Sequence, residues 1–123
     1  MPIELNHTIV HSRDKHAAAA FLADLLGLEV GPETGPFVPI ALVNGVTLDF
    51  MTSPHPDIAE QHYAFLVSDA EFDATLQRIK DAGVTHYSGP ALDVPNAIGR
   101  HNGRRGTYFK SPDGHVLEIL TAG

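Results

Sequence analysis

Apolar and polar positions alternate through residues 3–10, placing Ile3, Leu5, His7 and Ile9 on one face, so the chain is expected to open on a strand. A helical stripe follows in Phe21, Leu22, Leu25 and Leu26, with Ser12 as the expected N-cap, Asp14 in the first turn and Gly27 as the stop. Residues 31–45 are broken by Pro32, Gly35, Pro36 and Pro39. A short strand over residues 39–43 then turns at Asn44-Gly45 into a second over 46–51. Residues 54–60, with Pro54 and Pro56, read as a linker.

The same order then begins again. QHYAFLV at residues 61–67 repeats the opening strand with His62 in the place of His7. Ser68 and Glu71 form a capping box, Phe72, Leu76 and Ile79 have helical spacing, and Gly83 closes the helix. A Gly, Pro and Asn-rich stretch over residues 87–105 has the length of a functional loop, and a closing hairpin turns at Ser111-Pro112-Asp113-Gly114. Two half-domains that match step for step indicate internal duplication, with module one at about 1–53 and module two at about 60–123.

Composition narrows the chemistry. A chain of 123 residues is one domain's length and can bury a real core. Its net charge of -7 excludes the basic surface of a nucleic-acid binder, and Arg100, Arg104 and Arg105 are too few to make one. No cysteine is present, so disulfides, thiolate nucleophiles and Cys-ligated zinc are excluded and only nitrogen and oxygen ligands remain. The longest apolar stretch is interrupted by Asp24, so no membrane span is expected and the default location is the cytoplasm.

The duplication acquires chemical meaning at four positions. His7 and Asp49 in the first half, and His62 and Glu118 in the second, interrupt apolar alternating runs, where such side chains are costly to bury unless something satisfies them. In each half the histidine of the first strand and the carboxylate of the last fall on the same sheet face. A divalent metal would satisfy all four. Two imidazoles and one carboxylate form the facial set of Fe(II) oxygenases, whereas a second carboxylate gives a set suited to Ni, Co, Mn or Zn. Aspartate is one methylene shorter than glutamate, so three ligands are expected, with Asp49 as a supporting or optional fourth group. His101 is a candidate acid/base and Tyr108 a candidate hydrogen-bond donor to a substrate oxygen. His11, His16, His55, His86 and His115 are read as surface residues.

NHTIV, FLADLLGLEV, QHYAFLV and YFKSPDGHVLEIL together resemble the vicinal oxygen chelate superfamily of glyoxalases, bleomycin-resistance proteins and extradiol dioxygenases, over nearly the whole chain. The resemblance implies an α+β fold of paired βαβββ modules, a curved mixed sheet with a metal-binding cup and helices on its outer face. It also implies a metal on His7, His62 and Glu118 whose open positions take a small molecule through vicinal oxygens, in a homodimer. Gly99-Arg100-His101 with Tyr108, Pro112, Gly114 and Glu118 is similar to the extradiol dioxygenase signature, from which Thr107 and Ser111 depart. Asp49 in place of a glutamate, and His11 where an arginine would hold glutathione, depart from glyoxalase I. Extradiol-like chemistry with Fe or Mn is therefore placed ahead of isomerase or lyase chemistry with Ni, Co or Zn. A non-catalytic binding or resistance protein is the remaining class.

Overall fold

The computed structural model describes residues 2–122. Contacts divide the chain into two compact units, Met1–Ile58 and Ala59–Gly123. Both are α+β, and each has its own mixed sheet.

In the first unit, β1 (His7–Ser12) leads into α1 (Lys15–Leu26), followed by β2 (Phe37–Ala41) and β3 (Thr47–Thr52) in the order β1-β3-β2. β1 runs parallel to β3, and β2 is antiparallel to it. Alternation sends Val10, Ser12, Leu48 and Phe50 into the core beneath α1, which contributes Ala18, Ala19, Leu22, Ala23, Leu25 and Leu26. Two expectations are corrected. The opening strand starts at His7 rather than residue 3, because β3 offers pairing partners only from Thr47 onward, and Ile3 and Leu5 lie exposed. Asp14, not Ser12, caps α1, its carboxylate accepting from the backbone N–H groups of His16 and Ala17. Ser12 is instead a buried strand residue whose hydroxyl donates to the Met51 carbonyl.

In the second unit, β4 (His62–Val67), α2 (Asp69–Asp81), β5 (Gly99–His101), β6 (Arg104–Lys110) and β7 (Val116–Thr121) make a βαβββ module with sheet order β4-β7-β6-β5. Ser68 caps α2 through the Glu71 N–H, as its sequence predicts. Phe72, Leu76 and Ile79 of α2, with Leu117 and Ile119 of β7 and Phe109 of β6, form the core. Arg105 fastens β6 to α2: it donates to the Asp73 carboxylate at 2.7 Å and the Asp69 carboxylate at 3.0 Å, and its guanidinium covers the Phe72 ring. Those bonds, that to Asp73 first, hold its pKa above the usual arginine value. Spent on the helix, Arg105 serves the fold.

The glycine-rich stretch before β5 is ordered by backbone pairing. Tyr87 and Tyr108 exchange both N–H···O bonds, and the buried Thr107 hydroxyl donates to the Tyr87 carbonyl. Asn102 and Gly103, both at positive φ, make a two-residue hairpin between β5 and β6. His101 therefore ends a strand instead of lying within a loop.

Candidate metal centre

β4 and β7 run parallel with His62 opposite Val116 and Ala64 opposite Glu118, so Glu118 lies diagonally across from His62 on one face. Their side chains meet there, His62 Nε2 standing 2.9 Å from Glu118 Oε1. Tyr108 is directly opposite Glu118 on β6, and its ring stands edge-on to the His62 imidazole at 5.9 Å between centroids. Burial, then the negative charge of Glu118 and a hydrogen bond with it, push the Tyr108 pKa above the usual phenol value. The phenol thus keeps its proton across the neutral range. The sequence pattern indicated each of these three residues, and the fold of the second unit brings them together.

The first unit repeats the register. Ile9 lies opposite Asp49 and His7 opposite Thr47, so His7 and Asp49 stand in the same diagonal relation as His62 and Glu118. His7 Nδ1 is 2.8 Å from the Asn6 side-chain oxygen. An amide oxygen accepts, so the Nδ1–H donates in this contact and Nε2 is the ring nitrogen without a proton in the neutral imidazole. Asp49 is half-buried, and its carboxylate has no hydrogen-bond or ion-pair partner among the described residues.

The His62–Glu118 contact is a hydrogen bond in this structure, and its spacing also matches two donors on one divalent ion. Nitrogen and oxygen ligands at about 2.1 Å and right angles would stand about 3.0 Å apart, and His62 Nε2 and Glu118 Oε1 are 2.9 Å apart. Within neither unit do three or more His, Asp or Glu side chains among the described residues gather into a group able to hold a metal.

His101 shares the face of Tyr108, Glu118 and His62, but its register partner is Arg104. Four residues of β6 thus separate that partner from Tyr108, roughly 13 Å along the strand. Its Nε2 lies 3.2 Å from the Asn102 side-chain nitrogen at the exposed hairpin tip. The signal for this hairpin, Asn102-Gly103, was present in the sequence.

Two histidines read as surface residues are buried. His86 is held below the usual histidine pKa by burial and then by the charge of Lys80. His115, only 2% exposed, stacks edge-on against Tyr63 and accepts the Gln61 N–H on Nδ1. Alternation could have located His115, since it continues the buried row of Leu117, Ile119 and Thr121.

The solved structure of oxidase ChaP-H2 is 51% identical to this chain with a TM-score of 0.96, covering 100% of this chain and 96% of that one. Oxidase ChaP-H1 is 48% identical with a TM-score of 0.95, covering 99% and 98%. Glutathione transferase FosA of Serratia marcescens is 29% identical over 124 residues, 94% of this chain and 78% of that protein. Lactoylglutathione lyase from Agrobacterium tumefaciens, 20% identical over 98% of this chain and 95% of that one, shares the fold at a TM-score of 0.74. A family model matches residues 4–119, and the chain belongs to the Glyoxalase/Bleomycin resistance protein/Dioxygenase superfamily.

Proposed function

We propose that this chain is a divalent-metal-dependent oxidase or oxygenase acting on a small molecule that presents two vicinal oxygens. The observation that carries the reading is the convergence of His62 and Glu118 at 2.9 Å on one sheet face, with the protonated Tyr108 beside them. Likeness to two oxidases at 51% and 48% identity supports oxidative chemistry over isomerisation.

The ligands we assign are His7, His62 and Glu118, with Asp49 as a supporting group. A bound Fe or Mn ion would polarise both substrate oxygens and give dioxygen an electron path to the substrate. The protein's own groups supply orientation and proton control. Glu118 holds its carboxylate between His62 and Tyr108, and the Tyr108 hydroxyl keeps a proton to donate to a substrate oxygen. Ala64 and Gly106 share the face with Glu118, and a Cβ on Gly106 would come only to 4.0 Å from Glu118 Oε2. Their small size leaves substrate room beside the carboxylate. Family membership agrees with a small-molecule substrate, and the assembly we favour is a homodimer in the cytoplasm.

Elemental mass spectrometry of protein purified anaerobically without a histidine tag tests this, followed by oxygen uptake with catechols. The expected result is about one Fe or Mn per chain, lost in His62→Ala and Glu118→Gln, with metal-dependent oxygen consumption. Ni, Co or Zn at that level without oxygen uptake would move the assignment to isomerase or lyase chemistry. No metal after reconstitution would leave a small-molecule binder.

A further inference from the structure

From its place behind the metal face, we infer that His115 is a positioning residue that sets where His62 meets Glu118. The imidazole is nearly fully buried on the side of the sheet opposite His62, packed edge-on against Tyr63 with centroids 5.8 Å apart. Its Nδ1 accepts the Gln61 backbone N–H at 3.0 Å. A backbone N–H can only donate, so Nδ1 is the acceptor in this contact.

The bond lies at a critical point. Gln61 immediately precedes His62, and its carbonyl accepts from the Val116 N–H at 2.9 Å, the first rung of the β4–β7 ladder. Gln61 is thus held on both backbone groups by consecutive residues, His115 and Val116. His115 is itself anchored to the turn: its N–H donates to Ser111 Oγ at 3.1 Å, and its carbonyl accepts the Ser111 N–H at 2.9 Å. The turn at Ser111–Gly114 therefore fixes His115, His115 fixes the entry of β4, and that entry aims the His62 imidazole at Glu118. Because a strand residue's Cβ direction follows its backbone, a small rotation at Gln61 swings Nε2 away from the carboxylate.

Only the metal readout below rests on His62 being a ligand; the His62–Glu118 contact is read separately. The experiment compares wild type with His115→Asn and His115→Leu. Asparagine places an oxygen near the position of Nδ1, whereas leucine fills the space without an acceptor. The His62 ring nitrogens, assigned with His62→Gln, are followed by long-range proton–nitrogen NMR in metal-free protein, and Mn(II) affinity is titrated by electron paramagnetic resonance.

In His115→Leu the His62 resonances should move toward those of a free imidazole and Mn(II) affinity should fall about tenfold, the lower end for loss of a supporting hydrogen bond at a metal site. His115→Asn should restore both. If the leucine variant does not fold, His115→Gln replaces it, its acceptor one methylene too far out, with the same result expected. Unchanged His62 resonances in the acceptor-less variant would overturn the inference, as would an asparagine variant displaced as far as the leucine one. A wild type that binds no Mn(II) but whose His62 resonances respond as described would refute the metal assignment and leave the positioning role standing.

Discussion

Adding one methyl group at Gly99 tests whether β5 and the Ser88 backbone are as tightly packed as their geometry indicates. A Cβ at Gly99 would stand 2.4 Å from the Ser88 carbonyl oxygen, whereas ordinary contact begins near 3.4 Å, so something must yield by about 1 Å. The obstacle is backbone, and no side-chain rotation relieves it. The segment cannot drift freely either, because Ser88 donates to the Val94 carbonyl and Tyr87 is paired with Tyr108 on both backbone groups. Overpacking of this kind costs about 1–3 kcal/mol. At roughly 4 °C per kcal/mol for a chain of this size, Gly99→Ala should melt roughly 4–12 °C below wild type. Gly89→Ala is the internal control: the same change in the same segment meets nothing within 4 Å. Reducing the freedom of the unfolded chain, it should be neutral or stabilising by up to about 1 kcal/mol. Thermal unfolding followed by circular dichroism separates the two. Equal melting temperatures for the two variants would refute the claim that β5 and the Ser88 backbone are locked together.

Thr107→Val keeps the side chain's shape but removes the hydroxyl that donates to the Tyr87 carbonyl at 3.0 Å. It should cost about 1 kcal/mol in urea unfolding. His86 titrates below its unfolded value, so the unfolded chain binds the extra proton first as pH falls. Its contribution to stability is complete above about pH 6.5 and is lost as pH falls through the folded pKa. Between pH 7.5 and 5.0, wild type should lose more stability than His86→Gln, as read by urea midpoints. Asp49→Asn should retain about one metal per chain with less than a tenfold loss of affinity, whereas Glu118→Gln should lose the ion; equal losses would make Asp49 a full ligand.

The sequence alone determined the two-part frame and the faces on which the candidate residues stand, because alternation and helix stops are local. In each half the period-two pattern of strands gives the face of the histidine and of the carboxylate, and Ser68, Gly27 and Gly83 mark helix ends through backbone chemistry that needs no distant partner. Tertiary structure decided what each polar side chain meets. Arg105, in the sequence only one of a small basic cluster, is bound to Asp69 and Asp73, which lie 36 and 32 residues earlier. His115 reads in the sequence as a surface residue but is bound to Gln61, 54 residues away. His62 and Glu118, 56 residues apart, touch only because β4 and β7 pair in parallel although α2, β5 and β6 lie between them in the chain. A local pattern gives the face on which a side chain stands, while its partner is set by which strands pair and in what register, and that is a property of the folded chain.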